Sequence, residues 1–136
     1  MKVWFLSSLM AFVLWIFWGF LPKLATRYVS PKSVLVYEVL GAILVGLVVL
    51  VLLNFGLEFQ PQGALFGVLA GVAGLAGTLF FLSALKQGEA SVVVPLTALY
   101  PLGVILLSFL LLHETLTLKQ GLGVLLALLS ILLLAG

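Results

Sequence analysis

Five long runs of apolar residues fill almost the entire chain, and they constrain its fold more than any other feature. A helix needs about 20 apolar residues to cross the roughly 30 Å of hydrocarbon in a bilayer. The runs are continuous, whereas the strands of a membrane barrel alternate apolar and polar side chains. We therefore predict an all-α integral membrane protein, a helix bundle of about five transmembrane helices in one domain over residues 1–136. The predicted spans are residues 3–21, 33–53, 63–85, 90–112 and 118–134.

The scarcity of charge excludes a soluble fold of this length. Only 7% of the 136 residues are charged and 65% are hydrophobic, whereas about a quarter of the residues in a soluble domain are charged. The first apolar run follows Lys2, is rich in Trp and Phe, and lacks a small-x-small cleavage site, so we expect a retained span and not a signal peptide. The predicted location is a cell membrane, the inner or plasma membrane of a prokaryote, crossed several times.

Catalytic and metal chemistry find few suitable side chains. The chain has no Cys and no Asp, and its one His, His113, stands beside Glu114 alone, whereas a metal site takes three or four ligands. The net charge of +2 is small, and the basic residues flank predicted helix ends, which is typical of membrane anchoring and not of nucleic-acid binding. We expect no enzyme activity, no catalytic residue, no cofactor, no metal and no nucleic-acid partner.

Short connections make consecutive helices antiparallel neighbours, and an odd number of spans places the termini on opposite sides of the membrane. The basic residues then divide four against two, which weakly favours the larger group as cytoplasmic. Because the bias is only two charges, single and mixed insertion both remain open. The larger group is Lys23, Arg27, Lys32 and Lys86, and the smaller is Lys2 and Lys119.

Glu38 is the most informative charge, since it lies about five residues, or about 7 Å, into the second span. Acids within a membrane are costly to desolvate and are candidates for function. Two interpretations remain open. Glu38 forms a structural or interfacial salt bridge with Lys23 or Arg27, or it binds substrate or a proton.

Two tryptophans of the first span, Trp15 and Trp18, are three residues apart and share a helix face. They face lipid, or they line an aromatic cavity suited to an organic substrate with an apolar part.

The fourth span contains Pro95 and Pro101, each of which removes a backbone donor. Thr97 and Tyr100 add polar groups to the same helix. An ordinary kink is one interpretation. The other is a bent or broken helix that lines a substrate pathway and takes part in gating, as in many transporters.

Glycines recur along the third span, at Gly63, Gly67, Gly71 and Gly74. Small residues on one helix face let another backbone approach closely. They indicate either packing within the bundle, or a subunit interface or cavity wall.

Several segments resemble the EamA-like domains of the drug/metabolite transporter superfamily, and together they extend over essentially the whole chain. The more specific ones are residues 84–91 (ALKQGEAS), Pro95-Leu96, Leu99-Tyr100-Pro101, Glu114 and Gln120-Gly121. Residues 15–23 (WIFWGFLPK) and 37–41 (YEVLG) are also similar to the first two helices of that family.

The resemblance implies a transporter or exporter of small metabolites, such as amino-acid-like solutes. Family members often have ten spans in two inverted repeats, and this chain looks like one repeat. It therefore implies a dimer of five-helix units, either an antiparallel homodimer or a pair with a related membrane subunit, with substrate near the midplane between spans one, three and four and alternating access around it. Small relatives couple transport to a proton through an acidic residue in span one. Span one of this chain has no acidic residue. The alternative function is a non-transporting accessory subunit of a heteromeric transporter or lipid-carrier flippase.

Overall fold

The computed structural model describes residues 3–115 and 117–135, and within them it is helical and contains no strand. Four helical segments of the described residues are long and apolar enough to cross a membrane, and a shorter apolar helix follows them. The four are Trp4–Tyr28, Pro31–Leu52, Pro61–Gln87 and Ala90–Leu111. The all-α membrane fold is therefore confirmed. Lys2, one of the charges used for orientation, lies outside the described residues. The helices are α1 (Val3–Tyr28), α2 (Pro31–Leu52), α3 (Pro61–Gln87), α4 (Ala90–Thr97), α5 (Tyr100–Leu111) and α6 (Leu118–Ala135).

The chain divides into two compact units, Met1–Gln87 and Gly88–Gly136. In the first unit, α3 packs against both α1 and α2. Its buried side chains cluster where α1 ends, α2 begins and α3 ends. Most other apolar side chains of this unit are exposed, as expected of helices that face lipid or another membrane helix. The buried cluster consists of Pro22, Thr26, Val34, Thr78, Phe81, Leu82 and Leu85.

The helix ends of this unit follow local sequence signals. The first span was predicted to cover residues 3–21, and α1 continues through Pro22 to Tyr28. Ser30 caps α2 by accepting a hydrogen bond from the Ser33 N–H at 3.2 Å, and Pro31 takes the first helical position, where a missing N–H costs nothing.

The carboxyl end of α2 is a Schellman motif. The Phe55 N–H donates to the Leu50 carbonyl, and the Asn54 N–H donates to the Val51 carbonyl, both at 2.9 Å. Asn54 has a φ of 51°, a left-handed conformation that Asn adopts more readily than most residues. Two otherwise unpaired helix carbonyls are satisfied in this way.

In the second unit the predicted fourth span is not one continuous helix. It is interrupted at Ala98 and Leu99, so α4 and α5 are separate helices, and α4 packs against α6. Pro101 has no N–H to donate to the Thr97 carbonyl four residues earlier, which accounts for the interruption. The Leu99 N–H turns back to the Leu96 carbonyl at 3.3 Å, a tighter i to i−3 bond.

Helix α6 begins with a capping box. The Thr117 Oγ1 accepts from the Gln120 N–H at 3.3 Å, and the Gln120 Oε1 accepts from the Thr117 N–H at 2.9 Å. The pair satisfies two backbone donors at the start of the helix. The Thr-x-x-Gln spacing was present in the sequence and was not used to predict this boundary.

Candidate functional site

An open groove of about 290 Å³ lies between α1 and α2 of the first unit. Its walls are mainly apolar, and its polar side chains come from two adjacent residues of α2 and from the indole of Trp18. Sequence reasoning identified Trp18 and Glu38 and missed the other lining residues. The groove is lined by Trp18, Leu21, Pro22, Ala25, Val34, Tyr37 and Glu38.

Glu38 places a carboxylate in this groove. The residue is half-buried, and its Oε1 is buried without a hydrogen-bond partner among the residues that the structure describes. A buried oxygen of this kind costs roughly 1–3 kcal/mol, and more when it is charged, unless a donor or a cation satisfies it. The Glu38 side chain therefore lines the groove, while its Oε1 is enclosed and receives no hydrogen bond from the described residues.

Lys23, a predicted partner of Glu38, makes a long-range contact with α3. Its Nζ donates to the Leu85 carbonyl oxygen at 2.6 Å. This carbonyl is among the last four of α3, which have no partner within the helix, and a cation there also interacts favourably with the helix dipole. Arg27, the other predicted partner, is exposed and does not line the groove.

Trp18 is held in place from the side of α3. Its ring stacks on Phe81 with the centroids 5.6 Å apart and the planes 11° from parallel. Trp15 is 61% exposed and does not line the groove, so the structure separates the environments of the two tryptophans. Phe81 was not foreseen, because nothing in the local sequence relates it to Trp18.

The predicted polar residues of the fourth span flank the interruption in the second unit. The Thr97 Oγ1 donates to the Val93 carbonyl at 3.0 Å and to the Val94 carbonyl at 2.9 Å. Tyr100 begins α5 and is 62% exposed. Pro95 lies inside α4 and Pro101 in the first turn of α5. These residues lie on either side of the break at Ala98 and Leu99.

The glycines of α3 have open space beside them. A Cβ added at Gly63, Gly67, Gly71 or Gly74 would meet no atom within 4 Å. Packing inside the first unit therefore does not explain them. The interpretation as an interface or cavity wall stays a prediction.

Comparison with known proteins extends these observations. A model of the EamA-like transporter family matches residues 2–136. An uncharacterised protein of Methanocaldococcus jannaschii is 40% identical over 70 residues, which are 52% of this chain and 51% of that protein, so the match spans about half the length of the relative. No solved structure matches the chain. The family match includes both compact units and agrees with the resemblance found in the sequence.

Proposed function

We propose that this chain, which belongs to the EamA-like transporter family, moves a small organic metabolite across the membrane and uses the groove beside Glu38 to bind it. The family is one of transporters, and the chain is a multi-pass membrane protein. The observation that carries the proposal is the unpartnered Glu38 Oε1 in a groove between two helices of membrane-spanning length. Acids within a membrane commonly mark substrate or ion pathways.

The transporting form proposed here is a dimer of five-helix units working by alternating access. Two features support it. The glycine positions of α3 leave space for the close approach of another helix, and the charge bias of the sequence is small enough to permit both orientations. The partner is a second copy in the opposite orientation or a related chain. A bent fourth span, interrupted at Ala98 and Leu99, is a type of element from which transporters build their pathways.

Flux into sealed liposomes tests the proposal. The purified protein is reconstituted and offered a panel of amino acids, amines, organic acids and nucleosides, and uptake is compared with that of empty liposomes. We expect uptake of at least one solute, and we expect Glu38→Gln to abolish it. Glu58→Gln, which alters an exposed carboxylate in the loop between α2 and α3, is the matched control and keeps its flux.

Folding of each variant is checked by circular dichroism and size-exclusion chromatography. Equal flux for Glu38→Gln and wild type would remove Glu38 from the pathway. Absence of flux for the whole panel from a folded protein would contradict the proposed function. Isolation of a stable complex with another membrane subunit, together with absence of flux from the chain alone, would favour the accessory-subunit alternative.

A further inference from the structure

The chemistry of the groove beside Glu38 narrows the class of ligand. A carboxylate oxygen accepts hydrogen bonds and attracts cations, and it repels anions. Glu38 Oε1 has no hydrogen-bond partner among the described residues. Of the residues that the structure describes, those that line the groove include no basic side chain. Glu38 is thus the one acidic residue among the described residues that line the groove.

The nearest basic residue along α1 is committed elsewhere. Lys23 follows the lining residue Pro22, and its Nζ contacts the Leu85 carbonyl at 2.6 Å. This hydrogen bond directs the ammonium group to the carboxyl end of α3. Arg27 is exposed near the end of α1 and is absent from the lining. Neither Lys23 nor Arg27 is among the described residues that line the groove, so a ligand that carries its own positive charge would complement the Glu38 carboxylate there.

Aromatic rings stand beside the carboxylate. Trp18 and Tyr37 both line the groove with Glu38, and the stack on Phe81 fixes the plane of the Trp18 ring. Aromatic faces attract ammonium groups through the ring quadrupole and also bind apolar groups. The remaining walls are aliphatic. A volume of about 290 Å³ is at the small end of the range for organic ligands.

We propose that the groove binds a small organic cation, an amine or quaternary ammonium on an apolar or aromatic body. The positive group lies at the Glu38 carboxylate, and the body lies against Trp18 and Tyr37. This inference rests on the proposed function, because it names the substrate class of the same site.

Trp18 fluorescence provides a direct binding assay. The chain has three Trp residues, so a Trp4→Phe, Trp15→Phe double variant leaves Trp18 as the one reporter. This variant is placed in nanodiscs and titrated with benzyltrimethylammonium. We expect a saturable change in emission. The neutral probe 2-phenylethanol and the anionic probe phenylacetate should bind at least about tenfold more weakly, as expected when a charge-assisted contact is lost.

Variants of Glu38 in the same background separate charge from shape. Glu38→Gln should weaken binding of benzyltrimethylammonium at least about tenfold, since it keeps the size of the side chain and removes its charge. Glu38→Asp keeps the charge and should retain most of the binding. Glu58→Gln is the matched control and should leave binding unchanged. If Glu38→Gln binds the cation as well as the parent does, or if phenylacetate binds equally well, the inference is wrong.

The flux assay distinguishes failure of this inference from failure of the proposed function. Transport of a neutral or anionic solute, with no cation binding at Trp18, would overturn the organic-cation site and leave the transporter proposal standing. Cation binding that depends on Glu38, with no flux for any solute, would support the site and contradict transport by this chain alone.

Discussion

At the scale of single residues, Lys23 and Glu38, which the sequence suggested as a pair, take part in different features of the first unit. Lys23 satisfies a carbonyl at the end of α3 through a hydrogen bond of 2.6 Å, while Glu38 Oε1 is buried and accepts no hydrogen bond from the described residues. The Lys23 contact joins α1 to α3, next to Leu82 and Leu85, whose exposure is 0%. Lys23 thus contacts the packed end of the unit, and the Glu38 side chain lines the groove between α1 and α2.

Lys23→Met tests the structural role of this contact. Methionine keeps much of the aliphatic chain and removes the ammonium group, so the Leu85 carbonyl loses its charged donor. We expect the protein to lose about 1–3 kcal/mol of stability against unfolding. The measurement is denaturation in mixed micelles followed by circular dichroism.

Lys32→Met is the matched control, since Lys32 is exposed in the first turn of α2. It removes a positive charge near the same helix ends and should change stability little. Equal losses for the two variants would show that general charge, and not the contact with α3, stabilises this end of the unit.

At the scale of helices, the break in the fourth span has a local cause, the missing N–H of Pro101. Local hydrogen bonds also account for the end of α2 near Asn54 and the start of α6 at Thr117. At both ends, nearby groups pair with backbone groups that the helix leaves without a partner. In a membrane such groups have no water to satisfy them, so breaks and ends are tolerated only where partners exist. The Thr97 hydroxyl is itself satisfied within α4, because its Oγ1 donates to the Val93 and Val94 carbonyls.

Pro101→Ala should restore the N–H that donates to the Thr97 carbonyl and favour one continuous helix from α4 to α5. We expect unchanged or higher thermal stability together with a lower rate of flux, because the interruption is part of the proposed pathway. Melting temperature and initial flux are measured on the same preparation.

The control for this change is Pro61→Ala, at the first position of α3, where proline interrupts no helical hydrogen bond. It should leave flux unchanged. Normal flux in Pro101→Ala would show that transport does not depend on the interruption of the fourth span.

Helix limits were largely predictable from sequence, because apolar runs and proline, serine and asparagine signals are local. The predicted second span ended at residue 53 and α2 ends at Leu52. The contacts that build the groove were less predictable. Lys23 and Leu85 are 62 residues apart, and the stacking of Trp18 on Phe81 depends on how α1 packs against α3. A sequence indicates which residues are costly to bury, such as Glu38, and leaves their partners open.

At the scale of the whole molecule, membership of the EamA-like transporter family agrees with a chain that has almost no charged surface. Apolar side chains that would be buried in a soluble protein are exposed along α1 and α2. Lipid is as apolar as these side chains, so association of membrane helices depends on close packing and polar contacts. This supports the proposal that the open glycine positions of α3 pack against the partner chain of the dimer.

Single-cysteine labelling tests the antiparallel homodimer. The chain has no Cys, so Gln60→Cys, just before α3, and Gln87→Cys, at its last residue, place matched probes at opposite ends of one helix. Intact cells are treated with a thiol reagent that cannot cross the membrane. We expect partial labelling at both positions, because the proposed antiparallel homodimer requires copies in both orientations.

Complete labelling at one position and none at the other would contradict mixed insertion. It would direct the search to a related chain of opposite orientation. Labelling after the membrane is made permeable is the control, since both cysteines should then react completely.

The interruption at Ala98 and Leu99 also has a mechanical consequence. With a rise of about 1.5 Å per residue, the 8 residues of α4 form an arm of about 12 Å and the 12 residues of α5 an arm of about 18 Å. A rotation of about 10° at the joint would swing the far end of α5 by about 3 Å, roughly the diameter of a water molecule, while the hydrogen bonds within each arm stay intact. A continuous rod would have to bend or tilt along its full length to produce the same displacement.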